Sequence, residues 1–329
     1  PLFEYLGLRQ SFHAQGWLPS TGVESSWGNP GTLRREAIFT AQGPGWHIDR
    51  HRFDQWLRRE AIDHGTEWRR TRLTGAHRLD DGWDLQLEDG HVRCRIAVDA
   101  TGRGARFARL AGARRLASDT LMGTLWWFQG EARAQAEGTL LESTPEGWWY
   151  SAHLPDARVV AGFLTDADLL PAWLREGDLA TGLRGAPRTA VRLDGTRLQS
   201  GPTTRNASTT RTEPAADTGW LTAGDAAIAL DPLSSLGIGH ALLSGIEAAR
   251  AAAVACLGQV EVFPAFAEAA RLLFAQLRER QIALYRAERR WPEAPFWARR
   301  HQAAVEPFPT PPPPSQAAAK ATTPAPSPP

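Results

Sequence analysis

The chain has 329 residues, 42% hydrophobic and 22% charged, which leaves room for about two domains and excludes intrinsic disorder for its bulk. Thirty-seven basic side chains against 36 acidic ones give a net charge of +1, so no general attraction to nucleic acid or anionic lipid is built in. No apolar run reaches the ~18 residues of a membrane helix, and two distant cysteines, Cys94 and Cys256, exclude a disulfide framework and a zinc ribbon.

The sequence opens Pro-Leu-Phe-Glu, holds one methionine, Met122, and shows no charged-then-apolar leader, so the expectation is a fragment whose N-terminus is missing. The first clear element is a helix from Asp49 to Gly65. Asp49 caps it, Phe53, Trp56, Leu57 and Ala61 recur at helical spacing, and Gly65 stops it. The period then falls to two. Trp83, Leu85 and Leu87 alternate with polar residues, Asp89-Gly90 supplies a tight turn, and Val92, Cys94, Ile96 and Val98 alternate again, which predicts a β-hairpin. Its second strand is expected to run directly into Asp99-Ala-Thr-Gly102-Arg-Gly104, with helix beginning at Phe107.

From Asp119 to Asp166 the chain reads as strand-rich, with Leu121–Phe128, Gly147–His153 and Arg158–Leu164 as antiparallel strands covering a pocket. The tryptophan pairs Trp126-Trp127 and Trp148-Trp149 either line an aromatic pocket or pack as core. A parallel-type strand, Trp220–Ala223, ends in Gly224-Asp225, followed by a short loop and a long helix from Leu236 to Leu257, with further helix to about Arg290. The stretch Pro307–Pro329 holds ten of the 24 prolines and one charged residue, Lys320, and predicts a disordered tail. No internal repeat is visible.

Two loops stand out because each follows a strand and precedes a helix, the place where open α/β sheets bind ligands. The first is Asp99-Ala-Thr-Gly102; the second runs from Gly224 through Asp225, Ala226, Asp231 and Pro232 to Gly237-Ile238-Gly239. Gly224 permits close backbone approach to a ligand. Asp225 is suited to accept hydrogen bonds from ligand hydroxyls, and the amides near Gly237 and Ile238 sit at the positive end of the long helix. A polyol joined to an electron-rich ring edge is the ligand these features describe.

The ordered run Gly224-Asp225-Ala-Ala…Asp231-Pro232-Leu-Ser-Ser…Gly237-Ile238 resembles the flavin signature of class A flavoprotein monooxygenases and flavin-dependent halogenases, the para-hydroxybenzoate hydroxylase-like fold. Ser26-Trp27-Gly28, His47-Ile-Asp-Arg50-His-Arg-Phe53-Asp54, Asp99-Ala-Thr-Gly102-Arg103, Glu142-Ser…Gly147-Trp148-Trp149-Tyr150 and Thr165-Asp166-Ala167-Asp168 are similar in the same order, over about Pro1 to Leu257. The nearest branch in appearance is the tryptophan-halogenase-like one with LodB- and GoxB-type maturases. The resemblance implies FAD, with Asp225 on its ribityl chain and Gly224 and Ala226 beside it. Pro232, Gly237 and Ile238 would border the isoalloxazine, Asp99 and Gly102 would lie near the pyrophosphate and ribose, and Arg50 would contact the cofactor unless it is a solvated helix-start arginine.

The fold class so implied is α/β, an α+β composite: a Rossmann-like FAD-binding domain without its first βαβ unit, interrupted by a β-rich substrate domain and followed by helices. Its expected parts are 1–116 (partial FAD-binding domain), 117–215 (mainly antiparallel β substrate domain), 216–258 (FAD-binding domain continued), 259–306 (C-terminal helices) and 307–329 (tail). Neither Gly102-Arg-Gly104 nor Gly237-Ile-Gly239 is a dinucleotide fingerprint, since neither opens a βαβ unit with an acidic residue about 20 positions on.

The implied activity is that of an FAD-dependent oxidoreductase, monooxygenase- or halogenase-like. It would act through a reduced-flavin/O2 intermediate on an aromatic small molecule or a tryptophan in a partner protein. NAD(P)H or a separate flavin reductase would supply electrons, and the setting would be cytoplasmic. The lysine expected of halogenases would fall in the missing region, and no WxWxIP motif occurs at Trp148. Two alternatives stay open: a non-catalytic binding protein that keeps the fold, and a geranylgeranyl reductase-like flavin reductase. His240, beside Gly239, either faces the flavin or packs at the helix start, and no HxH or HExxH spacing suggests a metal.

Overall fold

The widest element of the structure is a seven-stranded sheet built largely from the tryptophan-rich middle of the chain. The computed structural model describes residues 1–29, 31, 33–36, 45–130 and 138–304, and the expected Pro307–Pro329 tail lies outside them. The strand order across this sheet is Arg197–Asn206, Leu121–Gln129, Arg158–Asp166, Gly147–Leu154, Thr139–Thr144, Gly22–Ser26 and Leu33–Glu36. All neighbours are antiparallel except Thr139–Thr144 beside Gly22–Ser26, which run parallel.

Strand alternation decides where the tryptophans go, because successive side chains point to opposite faces. Trp126, Trp149 and Phe163 face three short helices, Ala172–Glu176, Leu179–Arg184 and Pro187–Leu193, and pack with Trp173 and Leu193. Trp148, Leu121 and Leu164 face the other way, onto Leu233, Tyr285, Phe296 and Trp297. The Trp148-Trp149 pair is therefore divided between two cores, both rings at most 1% exposed. Neither ring lines an open pocket.

The helix capped by Asp49 spans Arg50–Asp63, and Asp49 accepts a bond from the Arg52 amide as the sequence implies. The hairpin forms from Gly82–Leu87 and Gly90–Cys94, joined on its outer side by Leu73–Leu79. Its second strand stops at Cys94, earlier than the alternation through Val98 suggests. Ala97–Asp99 leaves for a different sheet, pairing parallel with Trp220–Thr222. The inward side changes at this switch: Ala97 is buried beside Trp83 and Trp220, and Val98 is exposed. One run of alternating residues thus serves two sheets with opposite register.

Two long helices complete the frame, Gly237–Cys256 and Val262–Arg286, followed by the shorter Pro295–Gln302 with Pro295 at its first turn. Val262–Arg286 buries Phe263, Phe274 and Tyr285 in three separate clusters, against Leu221, Ile228 and Trp148 respectively. Among the described residues no helix is long and apolar enough to cross a membrane, and no cluster of metal-ligating side chains occurs.

Candidate functional site

The two parallel strands Ala97–Asp99 and Trp220–Thr222 end side by side, and the Ala223 amide donates to the Asp99 carbonyl at 2.8 Å. Both singled-out loops therefore leave the sheet at the same edge. The Asp99 side chain is 1% exposed and spends both oxygens locally. One accepts from the Thr101 amide (2.8 Å) and hydroxyl (2.6 Å), the other from the Ala108 amide (2.8 Å). Both oxygens thus serve the turn into the Arg106–Leu110 helix. Gly102, half-buried with φ at +69°, has open space where a side chain would stand.

Gly224 also has positive φ, +59°, and a Cβ there would stand 3.4 Å from the Ala241 Cβ, so a glycine lets the Gly237–Cys256 helix lie against the turn. Its amide donates to the Ser244 hydroxyl at 2.8 Å. Asp225 is half-buried, its side chain 39% exposed, with the Arg103 Nε 3.7 Å from one carboxylate oxygen. Ala226 is fully buried and forms the floor of the turn.

Two arginines that sequence reasoning passed over fasten this turn from behind. Arg115 donates to the carbonyls of Asp225 (2.5 Å), Ala226 (2.9 Å) and Ala227 (3.3 Å) and to the Thr212 hydroxyl (2.9 Å). Arg103 donates to the carbonyls of Ser208 (2.5 Å) and Leu230 (2.8 Å) while flanking Asp225. Burial, and then the nearby Arg103 charge, bring the Arg115 pKa down to about 10, against the pull of Asp225 and Asp99, so it remains a cation at neutral pH. The only local signal for them is that Arg103 closes the first motif.

Past the turn, Asp231 caps the short Pro232–Ser234 helix by accepting from the Leu233 amide at 2.8 Å. Pro232, Leu236 and Gly237 are exposed, no side chain caps the Gly237–Cys256 helix, and a Cβ on Gly237 or Gly239 would meet open space. Ile238 packs on Phe12, Trp17, Phe53 and Trp56, which brings the Arg50–Asp63 helix beside this end of the site. The Arg50 side chain itself is 64% exposed and paired with Asp54 at 3.3 Å.

His240 is buried, and its Nε2 has no partner among the described residues. Burial lowers its pKa, with Asp225 and the Gly224 carbonyl pulling back; burial also lowers His47 and His153. Each is then harder to protonate folded than unfolded, so stability is intact above the unfolded value of 6.5 and is lost as pH falls below it. Melting temperature is expected to drop by several degrees between about pH 7.5 and 5.5; equal values would refute this.

The site combines a positive-φ glycine on each loop, half-buried at Gly102 and buried at Gly224, with a half-exposed carboxylate and a bare helix N-terminus, which fits a ligand with an anionic bridge, hydroxyls and a ring edge. The tryptophan halogenase family model matches residues 29–310. The putative FAD-dependent oxidoreductase LodB of Marinomonas mediterranea is 27% identical over 316 residues, 90% of this chain and 82% of that protein. Among solved structures, the flavin-dependent halogenase CmlS superposes with a TM-score of 0.81 at 20% identity, covering 93% of this chain; the chain spans 59% of CmlS. The peptidyl tryptophan dihydroxylase QhpG gives 0.67 at 26% identity, covering 91% of this chain and 67% of its own.

Proposed function

We propose, for a chain that belongs to the tryptophan halogenase family and shares the flavin-dependent halogenase fold, that it is an FAD-dependent oxidoreductase acting on an aromatic substrate. The observation that carries this reading is the meeting of the two loops at one sheet edge, with Asp225 half-exposed over the positive-φ Gly224. Asp225 accepts from the ribityl hydroxyls, with Gly224 and the buried Ala226 shaping the turn that carries it, and Gly102 gives backbone approach on the ribose and pyrophosphate side. Pro232 and the Gly237-Ile238 amides border the ring system. The buried Asp99 shapes the turn that carries Gly102 to the pyrophosphate and ribose side, and the exposed Arg50 starts the helix that lies beside this end of the site.

When bound, FAD supplies the redox chemistry, reduced by NAD(P)H or a separate reductase and reacting with O2. The protein's share is position and exclusion of water. The partly exposed Trp27 and Trp291, which pack with Trp148 and Trp297 beside Leu233, offer an aromatic wall for the substrate. An aromatic small molecule or a tryptophan in a partner protein fits such a wall, and QhpG, a peptidyl tryptophan dihydroxylase, lends weight to the latter. The sequence contains a single lysine, Lys320, outside the described residues, so no described residue supplies the lysine that the resemblance associates with halogenation. Oxygenation and halogenation both stay within this reading, in a cytoplasmic setting.

The test is direct. Protein purified with its bound ligand is denatured, and the released ligand is identified by absorbance and chromatography; stoichiometric FAD is expected. Asp225→Ala is expected to weaken FAD binding about 10- to 100-fold, the value of a charge-assisted hydrogen bond. A colourless wild-type protein that also refuses added FAD sinks the proposal.

A further inference from the structure

Asp231 lies under the outer arm of the site, 2% exposed, and three donors hold its carboxylate. The Leu233 amide reaches one oxygen at 2.8 Å; the Tyr285 hydroxyl (2.6 Å) and the Gln281 side-chain amide (2.8 Å) share the other. Gln281 and Tyr285 are one turn apart on the Val262–Arg286 helix, so a single helix face delivers both donors. Each is itself anchored. The Tyr285 hydroxyl accepts from the Trp148 indole at 3.2 Å, and Gln281 donates to the Thr209 hydroxyl at 2.8 Å and accepts from Arg278 at 2.7 Å.

The arm beyond Asp231 is held at its far end by Ile238, packed on Phe12, Trp17, Phe53 and Trp56, and at its near end by Asp231 and Leu233. Pro232, Ser235, Leu236 and Gly237 are exposed, Ser235 sits at φ +52°, and Leu233 is its one buried apolar side chain, packed against the cluster that contains Trp148 and Tyr285. A buried carboxylate that loses a donor keeps its charge only at a cost in its own placement. Whatever fixes Asp231 therefore fixes the near end of the arm.

We propose that Tyr285 and Gln281 are positioning residues which, acting through Asp231, set the Pro232–Ile238 arm against the flavin ring and tie it to Trp148 of the wide sheet. The flavin-facing arm and the aromatic wall then form one hydrogen-bonded body. This rests on the FAD reading given above.

The experiment is a double-mutant cycle on the full chain with Tyr285→Phe, Asp231→Asn and the pair, read as the FAD Kd by fluorescence quenching and as the visible spectrum of bound flavin. Tyr285→Phe keeps the ring that packs on Trp27, Phe296 and Trp297 and removes only the hydroxyl. Each single change is expected to weaken FAD about tenfold and displace the bound flavin's visible band, with the double variant no worse than Asp231→Asn alone. Wild-type Kd and spectrum in Tyr285→Phe, even with a lowered melting temperature, overturn the proposal; so do effects that simply multiply. Should these variants not fold, Gln281→Leu removes the second donor and is expected to give a smaller shift in the same direction; an unchanged Kd and spectrum there also overturn it. A wild-type chain that binds no FAD instead defeats the function proposed above, and this proposal with it.

Discussion

Arg115→Met is expected to lower the melting temperature by about 6–10 °C and to leave the protein unable to retain flavin through purification. The side chain fills the space behind the Gly224–Ala226 turn and serves three successive carbonyls and a threonine hydroxyl at once. Methionine replaces much of the volume and none of the donors. Three successive carbonyls that lose a charged donor cost roughly 3–5 kcal/mol together, although the Ala226 carbonyl keeps the Thr212 hydroxyl at 2.5 Å and the Ala227 carbonyl keeps the Thr212 amide at 2.9 Å. For a chain of this size that corresponds to about 2 °C per kcal/mol. Arg115→Lys should recover only part, because one ammonium cannot span the oxygens that a planar fork reaches. Thermal melts of the flavin-free proteins and FAD titrations check both statements, and an Arg115→Met protein binding FAD within threefold of wild type would refute the clamp.

The second large effect is expected at Asp166, at the end of the strand Arg158–Asp166. Its carboxylate is fully buried and takes a paired contact from Arg300 (2.9 and 2.8 Å) and a third bond from Arg299 (2.8 Å). Arg300 is itself buried, lying 3.5 Å over the Phe296 ring and 4.8 Å from that of Tyr285. Asp166→Ala strands that cation, at a cost of about 3–5 kcal/mol. The expected result is a lower melting temperature and release of the Pro295–Gln302 helix, read as protease cleavage after Trp291. Asp168→Ala removes an exposed partner of Arg299 and should change little. Resistance of Asp166→Ala to cleavage, equal to wild type, would show that the helix is held by its aromatic packing alone.

The residues that local pattern made legible are those whose neighbours lie within a turn or a strand. The Asp49 cap, the alternating strands and the Gly224–Gly239 run all declare themselves over fewer than twenty positions, and the structure carries the corresponding elements. Arg103, Arg115, Tyr285 and Arg300 do their work across separations of up to 137 residues, in a chain where arginine is too common to mark anything. Gly28 shows the same limit. Its motif resemblance was visible, but the cause is distant: its amide donates to Glu288 at 2.8 Å, and a Cβ would fall 2.5 Å from the Ala287 carbonyl oxygen. The Val92–Val98 alternation misleads for the converse reason, since one pattern is shared by two sheets whose division no local residue announces. The work of the Asp99 carboxylate is not announced by its neighbours, because a carboxylate at a strand end is as well suited to its own turn as to a ligand.

Phe263, Phe274 and Tyr285 recur every eleven residues, and eleven residues make very nearly three whole helical turns. They therefore stand in a single file along Val262–Arg286, like three bolts in one rod about 37 Å long. The first bolt enters the strand pair that launches both loops, the second the floor beneath Ile228, the third the aromatic wall. A bend or rotation of that rod would withdraw all three together. Distance between the place that holds a cofactor and the place that greets a substrate is, in this molecule, a length cut into one helix.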